Sequence, residues 1–267
     1  MDQASQLTAF ERVLRRDRLI TFVALFGATL LAWIYIATIG TSSVSTSDMA
    51  MPGMSMSDMA MPARWTWSYF AVMAAMWVIM MIAMMLPSAA AMILLFAAIE
   101  RKQRAASPFV ATAKFAFAYL LLWAAIGLAA ATLQWQLDRL ALLTPAMTMA
   151  SATFAAITLI AAGLYQFTPL KRACLRGCRS PLEFISQYWG RGPFGLGLTH
   201  GLYCIGCCWM LMVLLFVVGV MNLRWVAIIA AFVLVEKIAP RGNVVGYFAG
   251  AALIAAGVWQ LGTRVLL

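Results

Sequence analysis

The sequence predicts an all-α polytopic membrane protein, a bundle of about seven transmembrane helices, and three observations carry that expectation. Hydrophobic residues make up 64% of the 267-residue chain and charged ones only 10%, too few to cover the surface of a water-soluble domain of this size. The apolar residues fall into runs long enough to cross a bilayer, which needs about 20 residues per helix. Lysine and arginine are distributed unevenly between alternate connecting segments. Arg12, Arg15, Arg16, Arg18, Arg101, Lys102, Arg104, Lys171, Arg172, Arg176, Arg179, Arg191, Lys237 and Arg241 lie on one side, against Arg64, Arg139, Arg224 and Arg264 on the other. Positive residues concentrate on the cytoplasmic side. The bias therefore puts the N-terminus in the cytoplasm, the C-terminus in the periplasm, and the whole chain in a bacterial inner membrane.

The first apolar run, Leu19 to about Ile39, follows the basic cluster at 12–18 and is too long and aromatic for a cleaved signal peptide. Residues 1–40 thus form a basic segment and a retained helix. Residues 41–66 are polar and form a periplasmic loop, and residues 67–267 form the helical membrane domain. Its first run, Trp67 to Ile99, exceeds a single span and contains Pro87, which predicts a tilted or kinked helix. Further spans are expected at 110–132, 147–169, 194–220, 225–239 and 243–262, the sixth short and ending in Glu236 and Lys237. Glycine and alanine along these helices suit close packing through small residues. The net charge of +10 is accounted for by membrane orientation, so a nucleic-acid partner is not expected.

The stretch THGLYCIGCCWM, residues 199–210, holds the sole histidine and three of the five cysteines. On a helix turning about 100° per residue, Cys204, Cys207 and Cys208 lie roughly 40°, −20° and 80° from His200. They share one face. Thiolate and imidazole suit Cu(I) or Zn(II), whereas hard cations prefer oxygen. Packing as small hydrophobes is the plainer account of buried cysteines, though three beside the only histidine exceed what packing requires. Cys204 and Cys207 also spell C-x-x-C, the dithiol of disulfide oxidoreductases. No outward loop carries a cysteine to relay such exchange. Haem is not expected, because a second axial histidine is missing. Glu236 is a candidate partner of His200 or a proton acceptor, with an interfacial position beside Lys237 as the alternative.

Methionine supplies the other soft ligands, 19 in all. Met49, Met51, Met54, Met56, Met59 and Met61 recur every two or three residues within the polar loop, where no core exists for them to fill. Thioether sulfur selects Cu(I) and Ag(I) and survives an oxidising compartment. The string resembles the metal-collecting segments of copper transporters and periplasmic copper proteins. Met73, Met76, Met80 and Met84 continue as a stripe down the next helix, flanked by Met81 and Met85; core packing explains such a stripe as readily as a ligand ladder does. Cys174 and Cys178, in the basic stretch KRACLRGCRS, are a candidate cytoplasmic exit pair or simply reduced thiols.

The strings MWVIMMIAMMLPS, HGLYCIGCCWMLMVLLFVVGVMNLRW and VEKIAPRG resemble the signature of a bacterial family of uncharacterised integral membrane proteins with a presumed metal site. The resemblance covers about residues 65–250. It implies a helical membrane domain and signature positions Met80, Met81, Met84, Met85, Pro87, His200, Cys204, Cys207, Cys208, Glu236 and Lys237, without a substrate.

Together these features lead to an expected copper protein that binds Cu(I) at the periplasmic methionine loop and at an intramembrane His/Cys/Met site, for transport or delivery to cuproenzymes. Silver or zinc are the alternative ions. The expected partners are the lipid bilayer, the metal ion, a copper chaperone or cuproenzyme, and a homo-oligomer or membrane complex. Two rivals stand beside it: a thiol-disulfide oxidoreductase using Cys204 and Cys207, and a metal-holding subunit or assembly factor of a membrane oxidase or oxygenase.

Overall fold

A computed structural model describes residues 21–38, 66–103, 108–144, 148–220 and 222–265. Within them the chain is helical, with one isolated bridge between Leu143 and Met149. The helices are α1 (Thr21–Thr38), α2 (Trp67–Lys102), α3 (Pro108–Arg139), α4 (Ala152–Tyr165), α5 (Pro169–Arg179), α6 (Pro181–Tyr188), α7 (Gly192–Val213), α8 (Leu215–Val218), α9 (Leu223–Ile238) and α10 (Gly242–Val265).

Five spans among the described residues are long and apolar enough to cross a membrane: α1, α2, α3, the α6-to-α8 stretch Pro181–Val218, and α10. A sixth arises if α4 and α5, bent 62° from one another, count as one broken span. The expectation of seven separate spans is therefore not met by length alone. The expected span at 147–169 yields only the 14 residues of α4, about 21 Å at 1.5 Å per residue, before the chain turns. The turn is built into the sequence: Thr168 caps α5 by accepting from the Lys171 N–H, and Pro169 takes a first-turn position where its missing N–H costs nothing. The 16 residues of α9 reach about 24 Å, short of a bilayer core of about 30 Å. Helix α2 runs unbroken for 36 residues with Pro87 inside it.

The core lies between α2, α3 and α7. The helices approach through glycine: a Cβ at Gly127 of α3 would meet the backbone of Val78 at 2.9 Å, and Gly197 of α7 lies against the Phe115 carbonyl. Gly163, Gly250 and Gly257 do the same between α4 and α10. Without a hydrophobic force between helices in lipid, such close backbone contact is the main source of association. Large side chains fill the remaining space, among them Trp77, which donates to Gln134 Oε1 at 2.5 Å, and Phe96, stacked on Phe115. Gly192, at φ 66°, lets the chain reverse from the short 3-10 turn after α6 into α7. The outward faces of α1 and α10 are apolar and exposed, with Phe22, Phe26, Leu31, Phe248 and Trp259 among them, a surface suited to lipid contact.

Candidate functional site

Four side chains of α7, His200, Cys204, Cys207 and Cys208, sit in its buried face, none more than 1% exposed. The offsets of four, seven and eight residues bring them to the same side, facing α2, α3, α5 and the C-terminal end of α9. All five cysteines are free thiols.

Cys204 is the hub. Its Sγ accepts from the Lys237 ammonium at 2.9 Å and lies 3.2 Å from the Tyr119 hydroxyl. Tyr119 also donates to the Met85 carbonyl at 3.1 Å, and Lys237 to Ser88 Oγ at 2.9 Å. The thiols of Cys207 and Cys208 both turn back to donate to the Cys204 carbonyl, at 3.1 and 2.9 Å. Cys208 Sγ lies 3.9 Å from Met85 Sδ, and Cys207 Sγ lies 4.0 Å from Cys178 Sγ. Sulfurs from α2, α7 and α5 thus adjoin one another in pairs across the helix interfaces. No group of three His, Cys, Asp or Glu side chains among the described residues converges closely enough to hold a single ion.

His200 is set apart from the thiols. Its ring stacks on Tyr119 and Phe115, at 5.5 and 6.0 Å between centroids, and Phe184 meets it edge-on at 5.5 Å. Both ring nitrogens are buried without a hydrogen-bond partner. Buried polar atoms normally find partners, so an imidazole with two unmet nitrogens is the structural signature of a side chain awaiting a ligand or carrying strain.

Cys174 and Cys178, of the basic stretch KRACLRGCRS, belong to α5, which packs along α7. Cys174 Sγ lies against Gly206, where any side chain would collide with it, and Cys178 joins Cys207. The expected link between Glu236 and His200 is corrected. Glu236 forms a buried ion pair with Lys171 at 2.5 Å, both side chains 2% exposed, and Lys171 also donates to Gln166. A one-residue step along α9 turns about 100°. It sends Glu236 towards α5 and Lys237 towards Cys204, so the lysine, not the carboxylate, reaches the thiols. Tyr119 and Ser88 are participants that sequence reasoning missed, and Lys237 enters it as a signature position, without a role at the thiols. An ionisable residue at membrane depth was the available signal for Lys237, and the adjacent glutamate masked it.

Met73, Met76, Met80, Met81, Met84 and Met85 are all buried in the core, at 6% exposure or less. Of these Met85 approaches a cysteine; Met80 and Met84 fill the interior of α2's packed face. Met49, Met51, Met54, Met56, Met59 and Met61 lie outside the described residues.

No curated protein and no solved structure matches the chain. A family described as copper chaperone, PpoB2, matches residues 74–260, a range that begins within α2 and takes in every cysteine, His200, Lys171, Glu236 and Lys237. The chain belongs to the PpoB2 copper-chaperone family.

Proposed function

We propose that this protein is a membrane-embedded copper chaperone that receives Cu(I) at the periplasmic methionine loop and holds it on the α7 thiols for handover to a cuproenzyme. Copper is cargo in this reading. The observation that carries it is the sulfur cluster of buried Cys204, Cys207, Cys208 and Met85 with half-buried Cys178, and the Lys237 ammonium 2.9 Å from Cys204 Sγ. Buried cysteines that merely pack need no cation. A thiolate formed in an apolar interior as metal displaces its proton does, because an unpaired charge there is costly.

The ligand types fit a soft monovalent ion. A metal–thiolate bond of about 2.3 Å allows one ion to bridge sulfurs up to roughly 4.6 Å apart. The 4.0 Å between Cys178 and Cys207 falls within that reach without movement of either helix. Thioether from Met85 adds a neutral soft donor. Weak thioether sites outside and stronger thiolate sites within form a gradient that favours inward loading. His200, one turn before Cys204 and with both nitrogens unmet, is a further donor on the same face.

The Cys204/Cys207 dithiol reading needs an exchange partner to reach the pair, and neither thiol is more than 1% exposed. The assembly-factor reading differs from the proposal only in whether the recipient stays bound.

Metal analysis of protein purified anaerobically tests the proposal, comparing the parent with a His200/Cys204/Cys207 triple substitution and a 47–62 deletion. Near-stoichiometric copper in the parent, lost in the triple variant, is the expected result. A parent free of copper, or a triple variant that keeps it, overturns the reading.

A further inference from the structure

Lys237 is the one buried cation of the cluster that lacks a carboxylate. Its ammonium, 8% exposed as a residue, meets Ser88 Oγ and Cys204 Sγ, each at 2.9 Å. The nearest acid in sequence, Glu236, is occupied by Lys171 at 2.5 Å. No carboxylate among the described residues lies within ion-pair distance of Lys237. A positive charge is therefore fixed beside the thiol from α7, in surroundings made of Met85, Tyr119 and other buried side chains.

We propose that Lys237 is a specificity-determining residue that makes the thiol site accept monovalent soft cations and reject divalent ones. This inference rests on the reading of the thiols as a copper site and extends it to the basis of ion choice. Charge balance carries the step. Binding of Cu(I) by two thiols releases two protons to solvent and leaves a dithiolate complex of charge −1, which the lysine neutralises. A divalent ion on the same two sulfurs forms a neutral complex and leaves the lysine either as a net buried positive charge or stripped of its proton, each at a cost in free energy. Three thiolates would restore neutrality for a divalent ion, but among the described residues no three such side chains converge on one point. Two-thiolate ligation is what the helix geometry offers: the Cys178–Cys207 pair, 4.0 Å apart, adjoins Cys204, the thiol that Lys237 contacts. Softness alone does not separate the two classes, because thiolate binds Zn(II) as well as Cu(I). The fixed ammonium does.

The distance makes the effect large enough to read. Unit charges about 4 Å apart interact strongly even at the effective dielectric of a protein, so removing the lysine should change relative affinities by about tenfold or more.

Ag(I) and Cd(II) are the probes, both soft and stable in air but differing in charge. Full-length protein in detergent, with thiols kept reduced, is equilibrated with each ion against a thiol competitor, and bound metal is counted by mass spectrometry. The parent should retain Ag(I) and release Cd(II). Lys237→Met, which keeps length and apolar volume, should lose at least about tenfold in the Ag(I)-to-Cd(II) ratio, and Lys237→Arg should preserve it. A parent that holds Cd(II) as well as Ag(I) overturns the inference without any variant, so it remains testable if Lys237→Met does not fold. An unchanged ratio in a folded Lys237→Met protein overturns it too. A parent that binds neither Ag(I) nor Cu(I) overturns the copper reading beneath it, and so separates the two failures.

Discussion

Replacing Glu236 by glutamine tests whether the carboxylate is structural or acts on the thiols. The substitution preserves shape and one hydrogen-bond acceptor while leaving Lys171 as an unpaired buried charge. Both partners are 2% exposed and their charged atoms are 2.5 Å apart, so water cannot replace the lost partner. Removing one member of a buried ion pair costs about 3–5 kcal/mol, against at most about 1 kcal/mol for an exposed pair. The pair joins the start of α5 to the C-terminal end of α9, and Gly246 of α10 packs against the carboxylate. Loss of the pair should therefore loosen the attachment of α5 to the bundle. The measurement is reversible unfolding in mixed micelles, following helix content against denaturing detergent, for the parent, Glu236→Gln, and the double variant Lys171→Met with Glu236→Leu. The single variant should lose about 3–5 kcal/mol and the double should recover most of it, since a packed apolar pair often equals a buried ion pair. A loss under about 1 kcal/mol, the range of a solvated pair, refutes the buried-pair account. Copper lost from a Glu236→Gln protein of parental stability would instead return Glu236 to the metal site.

Three further outcomes are expected. His200→Phe should raise the stability of the metal-free protein by about 1–3 kcal/mol, because it removes two unmet nitrogens from an aromatic box, while lowering copper retention; unfolding curves and metal analysis of the same sample check both. Gly257→Leu should cost about 1–3 kcal/mol or more, since a Cβ there would sit 2.7 Å from the Ala156 carbonyl oxygen and push α10 from α4; stability against denaturing detergent reads this, and parental copper content shows that the α4–α10 pair lies apart from the site. Deletion of residues 47–62 should slow loading of Cu(I) into sealed vesicles without changing the copper held at equilibrium, a distinction that a time course of bound metal makes directly.

The helical class and several of the long spans were legible because lipid imposes a uniform demand: backbone groups must be satisfied internally and outward faces must be apolar. The thiol face of α7 was legible for a similar reason, since helical periodicity alone decides which of its side chains share a side. What lies opposite that face was not. Cys178 meets Cys207 only because α5 folds back along α7, and the turn that allows it, Thr168–Pro169, reads as a capped helix start once the chain is not assumed to continue straight across the bilayer. In the sequence the destination of Glu236 is open between His200 and an interfacial position, because no spacing there points across the bundle to Lys171. Lys171 was hidden among charges assigned to the cytoplasmic surface, yet it is 2% exposed.

The two adjacent ionisable residues of α9 explain how a short, apolar helix organises charge on both sides of itself. Glu236 and Lys237 cannot point the same way, because neighbouring positions diverge by about 100°. Each therefore needs its own partner inside the bundle. Glu236 finds an opposite charge on α5, and that pair is electrically closed. Lys237 meets only neutral groups, Ser88 and a thiol, so its charge stays open until something negative forms beside it. The cluster can become negative by loss of thiol protons as a soft cation binds. An uncompensated ammonium is costly to keep at this depth in a chain that merely packs its cysteines, whereas in a copper chaperone it lowers the cost of forming the anionic complex. On the proposed copper reading, the same open charge that makes Lys237 expensive in the empty protein would make the loaded one neutral.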